Sequence, residues 1–305
     1  MNPLRDVAVI IVGLNARAFV EQSLASIERA EWRGRTYETI YVDNGSTDGS
    51  AEMARQRFPR AQVIANPTNV GFCPAANQGT RAAHSRHYFF LNDDTIVHDD
   101  AIALLVEYLD GRPEVGAVGS RLLNHDGSDQ WSGRRFPSPL NFIFGRRSVL
   151  SRWLPNARPL ARYLYRDQLQ AGKPFAADWV SAAAVMARAE VFERIGGFAE
   201  DYYYWHEAIF CDRVRQAGYE VTLHPQSKIT HFEGHGSGKR SYAARRWHII
   251  NFHRGAYRCY CERYRLGRLN PRRALAALAL GTRAVLLLAA NRAGDWFEKL
   301  RPARA

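Results

Sequence analysis

Five short apolar runs, most of them closed by a polar cluster and followed by a helical pattern, limit what this chain can fold into. Val7 to Val12 is a continuous and mostly β-branched run, the pattern of a strand buried on both faces, and it stops at Gly13-Leu14-Asn15. Phe19, Val20, Leu24 and Ile27 then recur at helical spacing. Thr39 to Val42 forms a second strand and breaks into Asp43-Asn44-Gly45-Ser46-Thr47-Asp48-Gly49, a turn signal that also offers caps to the next helix. Gln62 to Ala65 ends at Asn66-Pro67-Thr68-Asn69-Val70-Gly71-Phe72, and a helix through Asn77 leads to Tyr88-Phe89-Phe90-Leu91. That fourth run ends in Asn92-Asp93-Asp94-Thr95, and Val115 to Gly119 adds a fifth.

Alternation of this kind predicts an α/β fold with a mostly parallel central sheet and helices on both faces. Right-handed crossovers bring the carboxyl ends of the strands to one edge. Asn15, Asp43, the Asn69 to Gly71 loop and Asn92-Asp93-Asp94 therefore converge where open α/β sheets bind ligands. A solvated turn accounts for one such cluster but not for four on one edge.

The ligand class follows from what is missing and what is present. No G-x-G-x-x-G follows the first strand and no G-x-x-x-x-G-K-[ST] occurs, so neither backbone cradle for phosphates is available. Adjacent carboxylates repel one another unless a cation lies between them. Asp94, with Asp93 or Asn92, offers the hard oxygen ligands that Mg2+ or Mn2+ accepts while leaving positions open for diphosphate oxygens.

Charge divides the chain. Residues 241–305 contain 13 Arg and one Lys against Glu262, Asp295 and Glu298, so they carry +11 of the chain's +12. A basic C-terminal extension on a nearly neutral body points to a membrane surface, an acidic partner or nucleic acid. Cys73, Cys211, Cys259 and Cys261 are too few and too scattered for a disulfide framework, and Cys259-x-Cys261 lacks zinc-knuckle spacing. A reducing cytoplasm is expected, since Val7 to Val12 is too short for the core of a signal peptide.

Val7-Ala8-Val9-Ile10-Ile11-Val12, Val42-Asp43-Asn44-Gly45-Ser46-Thr47-Asp48-Gly49-Ser50, Asn69-Val70-Gly71-Phe72 with Asn77-Gln78-Gly79, and Leu91-Asn92-Asp93-Asp94-Thr95 together resemble glycosyltransferase family 2, closest to its rhamnosyltransferase-like branch. The resemblance covers roughly residues 6–240. It implies a GT-A (nucleotide-diphospho-sugar transferase) fold, an inverting mechanism and a nucleotide-diphosphate sugar donor. It further implies that Asp43 accepts a hydrogen bond from a pyrimidine and that Asn15, Asn69, Gly71, Asn77 and Asn92 frame the donor. Asn92-x-Asp94 stands where the family has its D-x-D metal motif, with Asp94 the principal ligand and Asp93 a weaker candidate. Gly13-Leu14 departs from the Thr-Tyr often found there and removes a hydroxyl near the base pocket.

Residues 121–176, with prolines at 137, 139, 155, 159 and 174, predict a long irregular excursion facing the acceptor. Asp178 to Arg188 returns to a strand pattern, and in the family a similar stretch lies beside the acceptor. Trp179 fits either stacking on a sugar face or packing in the core. At the family's acidic pair, counting back from Arg213 and Ala217-Gly218-Tyr219 puts Glu207 in the base position and His206 beside it as an acceptor contact. Counting forward from Gly197-Phe198 puts Ala208 there; the first register is preferred because alanine supplies no base. Glu220 to His224 and Lys228 to His231 predict two short strands. The resemblance makes His231 the third metal ligand, ahead of a Gly234 to Gly238 segment with Lys239 and Arg240 that would close over a diphosphate.

The expected organisation is a GT-A unit at 1–240, its nucleotide-binding half 1–120 and its acceptor half 121–240, followed by a basic helical extension at 241–305. Ala274 to Ala290 is apolar but falls short of the ~20 residues of a spanning helix, which favours interfacial contact or packing. The function expected is metal-dependent (Mn2+ or Mg2+) inverting transfer of a sugar, such as rhamnose, to a glycan or lipid-linked acceptor in cell-surface polysaccharide synthesis, at the inner face of the cell membrane. The alternatives are a sugar-nucleotide nucleotidyltransferase and a non-catalytic membrane or nucleic-acid adaptor.

Overall fold

The computed structural model describes residues 3–136, 157–233 and 241–300, with 293–300 as backbone. The first half is β1 (Arg5–Gly13), α1 (Arg17–Arg29), β2 (Tyr37–Asp43), α2 (Ser50–Arg57), β3 (Ala61–Ala65), α3 (Phe72–Ala82), β4 (Ser85–Asn92), β5 (Thr95–Val97), α4 (Ala101–Asp110) and β6 (Val115–Leu123). Shorter elements follow: β7 (Gly133–Arg134), α5 (Arg158–Tyr163), α6 (Arg166–Gln170), β8 (Phe175–Ala176), β9 (Trp179–Val180), β10 (Ala184–Arg188) and α7 (Ala189–Arg194). Then come α8 (His206–Gln216), β11 (Glu220–His231), α9 (Tyr242–Arg263) and α10 (Pro271–Leu300).

The main sheet has nine strands in the order β3-β2-β1-β4-β10-β6-β11-β5, with β8 on β11. β1 pairs in parallel with β2 and β4, β2 with β3, and β6 with β11, while β10 runs antiparallel between β4 and β6. The ends of β1, β2, β3 and β4 consequently share one edge. Both faces are covered, as the continuous apolar runs require. Ala8, Ile10, Tyr88 and Phe90 pack with α3, α7 and α8, and Val7, Val9, Ile11, Phe89 and Leu91 pack with α1, α2 and α4. Fully burying each large side chain contributes on the order of 1.5–3 kcal/mol. The α3 contact depends on Gly79, where a Cβ would stand 2.6 Å from Ile10 Cγ2, so any larger residue pushes the helix off β1.

Two local expectations change. Residues 220–231 are one strand, with its register shifted between His224 and Lys228 where Pro225 supplies no N–H. Residues 178–188 split, because β9 leaves the sheet to pair with β7 and only β10 enters it. In the excursion, Pro159 sits in the first turn of α5, and prolines 137, 139 and 155 lie outside the described residues.

The C-terminal helices are built onto this body. Ser241 caps α9 by accepting from the Ala244 amide (3.2 Å). Cys259 of α9 is fully buried in the same core as β1 and β4. The Trp205 indole N–H donates to Phe252 O (3.1 Å), the Tyr202 hydroxyl to Glu262 Oε1 (2.7 Å) and Arg263 to the buried Asp212 (2.7 Å). α10 packs back along α9 near Tyr257 and Leu266. It runs 30 residues, and within it Pro271–Arg292 is long and apolar enough to cross a membrane, a longer stretch than Ala274 to Ala290 suggested.

Candidate functional site

At the carboxyl edge of the parallel strands lies a cleft of about 680 Å³. Asn15, Asn69, Gly71, Asn92, Asp93 and Asp94 form one wall, and Glu200, Tyr203, His206 and Glu207 belong to the other. Four polar clusters from the sequence are thus brought together. The donor-side loops are fastened to one another. Asn15 Oδ1 accepts from the Thr47 amide (2.8 Å) and its own N–H donates to Ser46 Oγ (2.9 Å). Asn44 Nδ2 donates to Asn69 Oδ1 (3.0 Å) and Gly71 O (3.2 Å), while its Oδ1 accepts from the Val70 amide (3.1 Å). Such cross-linking holds the polar edge in one shape before any ligand arrives.

Asp43 is only 3% exposed and does not line the cleft. Its carboxylate accepts from the Tyr41 hydroxyl (3.0 Å) and the Ser46 amide (3.0 Å). The same Tyr41 explains Gly13. A Cβ at Gly13 would lie 2.9 Å from the Tyr41 hydroxyl and 3.2 Å from Asp93 Oδ2, so a threonine has no room there.

The two neighbouring carboxylates do different things. Asp93 Oδ2 accepts from the Leu14 amide (3.2 Å), which ties the end of β4 to the end of β1. Burial, and then the charge of Asp94, push the Asp93 carboxyl up to about 7. Asp94 Oδ1 is buried and has no hydrogen-bond partner among the described residues. It lies 3.2 Å from His231 Nε2, which is also 3.2 Å from Asn92 Nδ2. The proton arrangement follows from Gln130. Its Nε2 donates to His231 O (2.5 Å), so its Oε1 faces His231 Nδ1 (2.8 Å) and accepts the proton there. With Nδ1 committed to Gln130, Nε2 is the ring nitrogen that faces both Asp94 Oδ1 and the Asn92 amide. A carboxylate oxygen and an imidazole nitrogen side by side are donor atoms of the kind a divalent cation takes.

The other wall is carried by the start of α8. Trp205 at the N-cap takes a left-handed φ of 71°, strained for a non-glycine residue, and this turns the first residues of α8 toward the cleft. Glu207 lines the cleft in that first turn, where the helix dipole favours its charge, and Ala208 is fully buried, so only the first of the two registers offers a carboxylate. His206 Nδ1 lies 3.5 Å from Glu207 Oε2, with its ring against Phe72 (5.1 Å). Besides Asp43 and His231, neither of which lines the cleft, three expected site residues stand elsewhere. The Asn77 amide bonds Phe198 O (2.9 Å), Phe198 N (3.0 Å) and Glu200 Oε1 (3.0 Å), clamping the turn behind the acceptor wall. Asp178 accepts from the Phe136 amide (2.8 Å), and the Trp179 indole donates to Arg135 O (2.8 Å) within the core. The Gly234 to Gly238 segment with Lys239 and Arg240 lies outside the described residues.

Two residues were not singled out by sequence reasoning. Asn44 stands directly after Asp43 at a strand end, a position that could have marked it. Gln130 is 101 residues from its partner His231 and carries no local signal.

The charged residues lining the cleft are Asp93, Asp94, Glu200, Asp201 and Glu207, so among the described residues it has no Lys or Arg to meet a diphosphate. Asp94, His231 and the Asn92 amide fit a divalent cation. Among the described residues no three His, Cys, Asp or Glu side chains close a cage, so an ion would complete its shell with ligand oxygens and water.

This sheet order, with its cleft at the strand ends, defines a GT-A fold, and solved structures agree. A mannosyltransferase from Pyrobaculum calidifontis, in complex with GDP-Man and Mn2+, superposes with a TM-score of 0.57 at 20% identity over 96% of this chain and 81% of its own. GalNAc-T7 with UDP, GalNAc and Mn2+ also gives 0.57, at 16% identity over 81% of this chain and 48% of its own. The chain belongs to Glycosyl transferase family 2, whose profile matches residues 8–172. It is 25% identical over 268 residues, 84% of each chain, to the N-acetylglucosaminyl-diphospho-decaprenol L-rhamnosyltransferase of Mycobacterium tuberculosis. It is 24% identical over 173 residues, 55% of this chain and 61% of the other, to rhamnosyltransferase WbbL of Escherichia coli K12. Family membership makes the chain a glycosyltransferase and displaces the nucleotidyltransferase and adaptor alternatives.

Proposed function

We propose that this glycosyltransferase moves a rhamnose-type sugar from a nucleotide diphosphate to a hydroxyl of a lipid-linked glycan, with inversion, in cell-surface polysaccharide synthesis. The relatives named for rhamnosyl transfer, one of them to a diphospho-decaprenol acceptor, support the sugar and the acceptor class. The observation that carries the metal dependence is the buried, unpartnered Asp94 Oδ1 facing His231 Nε2 in a cleft lined by carboxylates.

Asp94, His231 and Asn92 would hold Mn2+ or Mg2+, with Gln130 fixing the imidazole so that Nε2 faces inward. The ion, when bound, neutralises charge on the departing diphosphate. Asn15, Asn69, Gly71 and the backbone around Leu14 shape the donor wall, and Asp43, through Tyr41 and Ser46, sets the β2 loop beside it. From the facing wall, Glu207 takes the proton of the acceptor hydroxyl, with His206 beside it as an acceptor contact. Nucleophile and leaving group then lie on opposite sides of the anomeric carbon, the geometry of inversion. An enzyme with a cytoplasmic nucleotide-sugar donor and a lipid-linked acceptor works at the inner face of the membrane.

The test is nucleoside diphosphate release from a panel of nucleotide sugars, with and without a prenyl-diphosphate-linked acceptor. Acceptor-stimulated release from a deoxyhexose donor supports the proposal. Release from none of the panel in the presence of Mn2+, or release of pyrophosphate instead, overturns it.

A further inference from the structure

α10 carries a long face that no other described part of the chain covers. Leu275, Leu278, Val285 and Leu286 are between 64% and 68% exposed. The one charged side chain within this stretch, Arg283, turns the other way and bonds His253 Nε2 of α9 (2.9 Å). From Ala274 to Asn291 the exposed positions therefore hold only Ala, Leu, Gly, Thr and Val, over roughly 27 Å of helix at 1.5 Å per residue. Soluble surfaces seldom leave an apolar strip of that length uncovered.

Charge brackets the strip. At the α9–α10 turn, Arg265, Arg268 and Arg272 are exposed around Leu269, which is 98% exposed, and Arg292 stands at the far end. Arg246, Trp247 and Arg254 edge a shallow groove on α9. The Trp247 ring meets that of Tyr203 on the cleft wall at 4.6 Å, so this basic, aromatic surface begins at the mouth of the cleft. Glu262 is the only carboxylate between 241 and 292, and the Tyr202 hydroxyl engages it.

We infer that α10 and the α9–α10 turn form a docking surface for an anionic lipid bilayer. α10 lies in the plane of the interface with Leu275, Leu278, Val285 and Leu286 at the acyl boundary, Leu269 inserted as a wedge, and Arg265, Arg268, Arg272 and Arg292 among the headgroups. A second copy of the chain fits less well, because pairing this face with itself sets one basic cluster against another. Crossing the bilayer would take Arg283 from His253 into hydrocarbon. The inference stands on the faces of two helices and holds or falls apart from the donor site.

Flotation of the full chain with vesicles tests it. The chain is expected to float with phosphatidylcholine vesicles containing about one-third phosphatidylglycerol and to stay behind with phosphatidylcholine alone. Combining Leu275→Glu, Leu278→Glu and Leu286→Glu should lower the bound fraction about tenfold or more, and combining Arg265→Glu, Arg268→Glu and Arg272→Glu should do so in a salt-sensitive way. All six positions are exposed, and unchanged thermal melting by circular dichroism confirms that the variants fold. No flotation of the parent, or flotation of both variants as the parent, overturns the inference. Resistance to alkaline carbonate extraction overturns it in favour of a spanning α10. A dimer that the leucine variant makes monomeric, with no vesicle binding, overturns it in favour of self-association.

Discussion

The two walls of the cleft are held in opposite ways. On the donor wall most polar side chains are fixed by a neighbour along the sheet edge: Asn15 by the Thr47 amide, Asn69 by Asn44, Asp93 by the Leu14 amide. The acceptor wall is held from behind by the C-terminal helices, through Trp205 on Phe252, Tyr202 on Glu262 and an Arg258–Asp201 ion pair. The first wall is a property of the sheet, whereas the second is braced by Asn77 of α3 and also by the docked α9. Donor binding should therefore tolerate changes on α8 and α9 that abolish transfer.

The sharpest separation comes from Glu207→Gln. Turnover is expected to fall about a thousandfold with nucleoside diphosphate affinity unchanged, as measured by product release and by calorimetry. Full turnover in this variant would move the base elsewhere on the acceptor wall. Asp94→Asn should act in the complementary way and weaken Mn2+-dependent nucleoside diphosphate binding by at least about a hundredfold. Gln130→Leu should weaken Mn2+ binding about tenfold, read by titration of the metal in the absence of sugar donor, and Gln130→Glu should restore part of it by accepting from His231 Nδ1. The smallest effect on the site is expected of Asn77→Ala. Losing its bonds to Phe198 and Glu200 should cost about 1–3 kcal/mol in a denaturant melt while donor affinity stays the same. A large loss of affinity there would return Asn77 to the donor wall.

The same contrast explains what could be seen in the sequence. β1, β2, β3, β4 and β6 each announced themselves as apolar runs, and four of the polar clusters ending them stand on one edge because parallel crossovers leave no other place. Within those clusters, residue type did not decide which side chain faces the ligand. Asp43 and Asn77 have the chemistry of donor contacts, but backbone amides of the Ser46 and Phe198 turns hold them out of the cleft. Asp178 and Trp179 are drawn in the same way onto the 134–136 segment. Gln130 shows the other limit: its role exists only through His231, and a pairing across 101 residues leaves no local pattern. α9 was legible as a basic, aromatic helix, but its burial of Cys259 in the main core depends on the shape of α8, which periodicity does not reveal.

In the proposed function, the Asp94–His231 pair and its acidic cleft hold the donor through a divalent cation. Calorimetric titration of the purified chain with a nucleoside diphosphate, first with Mn2+ and then with the ion chelated, tests it directly. Binding is expected to need the ion and to be lost in Asp94→Asn. Equal affinity with and without the ion, or affinity unchanged in Asp94→Asn, would contradict it.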